Sequence, residues 1–399
     1  MSAAAGQAAP ALTAEQQAEM QAVHDELHAL SSVVSVEEPW RCGRANEWDA
    51  QSAQQFFESR CRDPVVLREF RLAVQTILAE EPERISLLYL LFFLKANSGF
   101  ESVGDGVGGS QSLKVKGGMG GFAVAFADLV NQQHRRAHCS VGAATTLDAA
   151  IQLSSAVSSI HDWTHRSTSG VRVRCSNGTV WSAPHVIVAM APLAAANIVF
   201  DPPLPDRKMC ALRSLPMAAA AKVIVLYRTP FWIHEDPSCA ANAKLAHFTT
   251  YGPVYNIFHT EVGGLPGLVG LIVGDSARQW TKLPADERRR VVLEQYRQVY
   301  QSDEALAPEA YIDNEWQSDQ WALGCYGGVA PIGYLTDCGP FLRVATDRVL
   351  WAGTETATEW VGYFEGALVS GERAATDLLA SPTMQQQLQQ QQQAPTAKL

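Results

Sequence analysis

The residues able to do chemistry fall into a few groups. Gly104-Asp-Gly106-Val-Gly-Gly109 matches GxGxxG, whose glycines let backbone N–H groups hold a pyrophosphate at a helix N-terminus. That chemistry needs a strand before the glycines and a helix after them. Here an apolar helical run precedes and Gln111–Lys116 follows as a strand, so the segment reads as a flexible connector. Gly118-Met-Gly120-Gly-Phe-Ala123 is better placed, because it follows the strand Ser112–Lys116 and opens a helix over Phe122–Gln132. It is either a close helix-to-strand packing turn or a ligand-facing loop. The acidic ribose partner expected ~20 residues later is absent, since Asp148 lies too far along. His134 with His138, and His161 with His165, have i, i+4 spacing, but a zincin needs His-Glu-x-x-His on a true helix. The second pair carries Asp162 and sits among Ser, Thr and Gly; both pairs read as surface histidines. No GxSxG elbow is present. Lys222 follows four alanines and begins a buried strand, an odd place for a solvated amine.

Composition narrows the classes. The 399 residues are 47% hydrophobic and 18% charged, as in an ordinary globular protein long enough for two domains. Lys and Arg total 31 against 41 Asp and Glu, a net charge of −10, which argues against nucleic acid as a partner. The most apolar run, Ile85–Leu94, stops at Lys95, short of the ~20 residues of a spanning helix. The N-terminus lacks a signal or transit pattern, so a cytoplasmic location is favoured. The eight cysteines include no CxxC, and free thiols in a reducing compartment are the default.

The elements that must position these residues follow from caps and periodicity. Thr13 with Gln16 and Ser52 with Gln55 have capping-box spacing, and Asp63-Pro64 is an N-cap followed by Pro. The run Ile85–Leu94 is apolar all round and predicts a buried helix. Val171–Cys175 alternates strictly, Asn177-Gly178 signals a type I′ turn and Thr179 resumes the strand: a hairpin. His185–Ala189, Lys222–Tyr227 and Leu268–Val273 read as buried strands, and Pro284–Tyr300 as a charged helix. Arg348–Gly353 is a strand entering a helix from about Gly362 to Ala380. The mix is α/β with an added antiparallel portion.

Three segments remain. One is Asp347-Arg-Val-Leu-Trp-Ala-Gly-Thr-Glu-Thr-Ala-Thr-Glu-Trp-Val-Gly-Tyr-Phe-Glu-Gly-Ala-Leu-Val-Ser-Gly-Glu-Arg-Ala-Ala375. Another is Leu323-Gly-Cys-Tyr326 ahead of Pro331-Ile-Gly333. The third runs from Ala189-Met-Ala-Pro192 through Phe200-Asp-Pro-Pro-Leu-Pro205 to Ala221-Lys-Val-Ile-Val225 and Pro230-Phe-Trp232. In this order and spacing, with Trp40, Glu47-Trp48-Asp49 and Gly117-Gly118-Met-Gly120, they resemble the flavin-containing amine oxidases, the monoamine oxidase branch above all. The resemblance covers about Val36 to Ala380.

That resemblance implies FAD as cofactor, with a primary amine and O2 as substrates. Hydride would pass from the amine α-carbon to the flavin, the imine would hydrolyse and peroxide would form. It implies that Gly353, Thr354, Glu355, Gly362 and Phe364 lie against the flavin, with Ala144 at the adenine side. Cys325 would carry a thioether to the flavin 8α-methyl; its alternative is a small buried hydrophobe. Tyr326 and Tyr363 would form parallel rings flanking the amine, or else be core tyrosines, and Lys222 would hold a water at flavin N5. Gln111, Leu271 and Trp316 align with substrate-cavity or near-flavin positions, and Glu359 stands where near relatives carry His.

The fold class expected is α/β, with an incomplete FAD/NAD(P)-binding Rossmann-like domain at 112–212 and 319–381. A mixed α+β substrate domain with an antiparallel sheet is expected at 21–111 and 213–318, and tails at 1–20 and 382–399, the latter Gln-rich. Nothing before Trp40 reads as the N-terminal GxGxxG βαβ unit of that family, so a truncated sequence is one reading. The family's C-terminal membrane helix is likewise not seen. Two rivals stay open: an inactive remnant acting as a binding module, and an oxidase of polyamines or amino acids. A homo-oligomer is also left open.

Overall fold

The computed structural model describes residues 12–103, 117–139, 150–164, 170–233, 247–248 and 252–381, with single positions at 109, 113, 115 and 385. The first part is helical: α1 (Ala14–Ser32), α2 (Ala45–Asp49), α3 (Ala53–Arg60), α4 (Pro64–Leu78), α5 (Leu87–Ala96) and α6 (Phe100–Val103). Both capping boxes form, Thr13 with Gln16 and Ser52 with Gln55, and the Asp63 carboxylate caps α4. Each satisfies backbone N–H groups that a helix start leaves without partners. α5 is buried on every side except at Lys95, so it forms the centre around which the other helices pack.

Helix α7 (Met119–Cys139) is longer than the sequence suggests. The strand expected over Ser112–Lys116 is not seen at its two described residues, Leu113 and Val115, which are exposed and outside any strand. Gly117 and Gly118, with φ of +85° and +82°, turn the chain directly into the helix, and the Gly118 amide donates to the Val115 carbonyl. Residues 104–108 of the GxGxxG match lie outside the described residues.

Strands β1 (Val157–His161), β2 (Val171–Cys175), β3 (Val180–Ala183), β4 (Val186–Ala189) and β5 (Val199–Asp201) follow. β3, β2 and β1 run antiparallel, with β5 added parallel to β1, and the Asn177-Gly178 hairpin forms as expected. Short helices α8 (Pro192–Ala195) and α9 (Asp206–Arg213) lead to β6 (Ala220–Leu226). β6 lies inside a five-stranded sheet with β7 (His247–Phe248), β8 (Asn256–Val262), β9 (Leu265–Val273) and β10 (Ala310–Glu315), in the order β10-β6-β9-β8-β7. All its pairings are antiparallel. Helices α10 (Gly274–Trp280) and α11 (Ala285–Tyr300) cover one face, where Ala221, Val223 and Val225 meet Trp280, Val292 and Tyr296. Period two leaves Ala220, Lys222 and Ile224 on the other face.

The chain closes with α12 (Tyr334–Asp337), β11 (Val349–Ala352) and α13 (Phe364–Ala380). β11 pairs parallel with β4 as a two-stranded sheet. β11 is buried throughout, whereas β4 exposes Ile187 and Ala189. No helix among the described residues is long and apolar enough to cross a membrane.

A buried carboxylate joins the helical part to α12. Asp49 Oδ2 accepts from the Thr336 amide and hydroxyl, both at 2.8 Å, while Oδ1 accepts from the Ser86 hydroxyl. Removing it takes the acceptor from the buried Ser86 hydroxyl and from the half-buried amide and hydroxyl of Thr336. Asp49→Ala is expected to cost about 3 kcal/mol in urea unfolding, whereas an unchanged midpoint would mean water replaces the carboxylate.

Candidate active site

Cys325 is seated against the start of β6. Its amide donates to the Ala218 carbonyl at 2.9 Å, the Ala218 amide donates to Gly327, and the Val329 amide donates to Pro216. Residues 325–329 therefore lie as a short antiparallel ladder along 216–218. Gly324 has φ +142°, and a Cβ there would meet the Ala218 oxygen and Met217 Cβ at 2.6 Å, so only glycine fits. The Cys325–Tyr326 peptide is cis. Burial pushes the Cys325 thiol up to about 12, and the Lys222 ammonium beside it acts the other way. Its Sγ lies 3.8 Å from the carbonyl of Ala220, two residues before Lys222 in β6.

Lys222 is exposed although the residues on both sides of it in β6 are buried. Cross-strand register aligns it with Leu271 of β9 and Asn314 of β10, and Leu271 in turn with Asn256 of β8. One row of the sheet therefore carries Asn314, Lys222, Leu271 and Asn256 on the face opposite α11. Trp316, half-buried, lies just beyond the end of β10. Tyr326 is 40% exposed, and Tyr363 is half-buried with its ring edge-on to Trp360 at 6.2 Å.

The C-terminal block folds back on itself through small residues. The Gly353 amide donates to Ser370 Oγ at 2.9 Å, while Thr354 Oγ1 accepts from the Gly362 amide at 2.7 Å and donates to the Tyr363 carbonyl. A Cβ on Gly366 would sit 2.1 Å from the Trp360 oxygen, so the loop closes only over glycine. Phe364, at the first turn of α13, meets Phe122 of α7 edge-on at 5.3 Å. That contact brings two helix starts together, and Gly117, Gly118, Gly120 and Gly121 beside them have open space where a Cβ would stand.

Glu355 couples this block to the Cys325 loop, its Oε1 accepting from the Gly328 amide at 3.0 Å while the Tyr89 hydroxyl donates to the Gly328 carbonyl. Burial raises the Glu355 carboxyl above the ordinary carboxylate range, and the Gly328 amide works against that rise. A carboxyl raised in the folded state adds stability at low pH, and that contribution is lost as pH rises through its folded value. Glu355→Gln keeps an acceptor for Gly328 and removes the buried charge. It is expected to gain ~1 kcal/mol, or about 2–4 °C in Tm, at pH 8 and nothing at pH 4. An equal change at both pH values would mean that the charge is not the cause.

The structure thus seats Cys325 at Ala220, two residues before Lys222 in β6, and ties Gly353, Thr354, Glu355, Gly362, Tyr363 and Phe364 into one closed turn. Gln111, Ala144 and His165 lie outside the described residues, as does the side chain of His138. His161 is in strand β1, not on a helix, with Nδ1 3.2 Å from Asp201 Oδ2. Among the described residues no group of three His, Cys, Asp or Glu is placed to hold a metal ion. Tyr89, Trp360, Asn256 and Asn314 are not singled out by the sequence. The i, i+3 spacing of Trp360 and Tyr363 is the one local signal that could have drawn attention to any of them.

Comparison with known proteins places the chain. It is 32% identical over 345 residues to the flavin-containing amine oxidase of Danio rerio, which covers 86% of this chain and 62% of that protein. It is 30% identical over 342 residues to flavin-containing amine oxidase B of Homo sapiens, 86% of this chain and 61% of that one. The chain therefore spans about three fifths of the length of these curated relatives. Its fold matches cyclohexylamine oxidase from Brevibacterium oxydans with a TM-score of 0.77 at 24% identity, over 93% of this chain and 76% of that one. A family model described as flavin containing amine oxidoreductase matches residues 10–379, and the chain belongs to that family.

Proposed function

We propose that this chain carries the flavin- and amine-facing parts of an FAD-dependent oxidase of primary amines. The carrying observation is the seating of the Cys325 loop along the start of β6, the strand that exposes Lys222 two residues beyond the Sγ contact at Ala220. The residues fit a flavin: the Cys325 thiol is seated at Ala220 in the strand that exposes Lys222, and glycines at the start of α7 leave open space beside Phe364. When bound, the flavin supplies two-electron oxidation of the amine to an imine, with dioxygen reduced to peroxide.

The chain's own residues hold and orient. Cys325 Sγ is positioned for a thioether, and Gly353, Thr354, Gly362 and Phe364 line the turn along which an extended cofactor would lie. Tyr326 and Tyr363 offer aromatic faces to an amine and exclude water. Lys222 holds or moves a proton through its ammonium, and Leu271 and Trp316 bound the amine's side chain. Glu355 positions Gly328 and the loop that bears Cys325.

The test is to express the chain with flavin supplied, precipitate it with acid and look for colour in the pellet, then assay peroxide release from primary amines. Retained flavin and amine-dependent peroxide support the reading. A second reading, a binding module descended from such an enzyme, draws on the exposed apolar residues Val124, Phe126 and Leu129 of α7. Folded protein that binds no flavin and releases no peroxide would favour it.

A further inference from the structure

Away from the Cys325 site, two thiols from distant parts of the chain meet. Cys210, exposed on α9, has its Sγ 2.7 Å from Sγ of Cys338, which is buried at the end of α12. The residues are 128 apart in sequence. Their backbones are held together independently of the sulfur contact. The Tyr334 hydroxyl donates to the Ala211 carbonyl at 2.8 Å, and Lys208 Nζ donates to the carbonyls of Phe341, Leu342 and Val344 at 2.7–3.1 Å. Lys208 also lies 4.0 Å from the centre of the Trp351 ring. The pair therefore sits in a seat built by other contacts. A bonded pair stands at ~2.05 Å, so the sulfurs need ~0.65 Å more of approach.

We propose that Cys210 and Cys338 form a reversible disulfide, a peroxide-sensitive clamp between α9 and the segment 334–341. The exposed Cys210 meets the oxidant first. Its thiolate sulfur attacks one peroxide oxygen, the O–O bond breaks, and a sulfenic acid forms with release of one water once the departing oxygen is protonated. Cys338 sulfur then attacks Cys210 sulfur, the S–O bond breaks, the S–S bond forms and the Cys338 proton leaves with the second water. Two thiols are oxidised and one peroxide is reduced to two waters. Burial and the neighbouring Cys210 raise the Cys338 thiol, which slows its attack, so the second step relies on Cys338 being held against the sulfur it must attack.

The inference does not rest on the amine-oxidase reading, because peroxide can be added from outside. Purified protein would be treated with hydrogen peroxide, alkylated without reduction, digested and analysed by mass spectrometry. The expected result is a peptide pair joining Cys210 to Cys338, two hydrogens lighter than its parts and separated by dithiothreitol. Oxidised protein should melt several degrees higher than reduced protein, because closing a long loop restricts the unfolded chain. Cys210→Ser, at an exposed position, should remove both the linked pair and the shift. Sulfinic acid on Cys210 with Cys338 still open to alkylation after unfolding would overturn the proposal, and so would a linked pair joining either residue to a different cysteine.

Discussion

Replacing Lys222 by Met is expected to slow amine turnover by roughly 10²–10⁴-fold, the range of a positioned proton-transfer group. Met keeps the unbranched stem in the row between Leu271 and Asn314, and it removes only the ammonium. Since Lys222 is exposed, stability should move by less than ~0.5 kcal/mol. The measurement is stopped-flow absorbance of the flavin in two halves, reduction by amine under nitrogen and reoxidation by oxygen. A loss in either half at unchanged flavin content places the ammonium in that half-reaction. Wild-type rates in both halves would remove Lys222 from the mechanism and leave it a solvated side chain.

Cys325→Ala carries the second large effect, an all-or-none loss of flavin from the acid-precipitated pellet. The substitution is mild for the fold. Cys325 is anchored by its backbone ladder to Ala218, its side chain packs at the edge of the helical core, and its sulfur lies 3.8 Å from the Ala220 carbonyl. A stability loss of about 1 kcal/mol is expected from the missing sulfur. If wild-type protein binds flavin in solution but yields a colourless pellet, Cys325 is not linked and serves as a half-buried packing residue. If the alanine variant retains flavin in the pellet, another side chain bears the link.

Local chemistry made much of the fold legible. Ser52 with Gln55, Asp63-Pro64 and Asn177-Gly178 each act over a few residues, and each appears where its spacing predicts. The buried character of α5 followed from an apolar run with no polar face. The expected strand before α7 is not seen at its described residues, Leu113 and Val115. Positive φ at the two glycines that follow turns the chain straight into the helix.

The candidate site divides in the same way. Order and spacing of Lys222, Cys325-Tyr326 and the block from Gly353 to Phe364 could be read from the chain, because each is a local motif. Several relations could not be read. Lys222 is exposed within a buried strand because β6 shows opposite faces to α11 and to the Cys325 loop. Glu355 holds the Gly328 amide, which no spacing rule links to it. Asp49 gathers Ser86 and Thr336 from 37 and 287 residues away, and Cys210 meets Cys338 across 128. Caps, turns and hydrophobic periods are set by neighbours within a turn or two of chain, so sequence alone determined them. Pairs brought together by packing depend on how whole elements cross, and only the tertiary structure decided those.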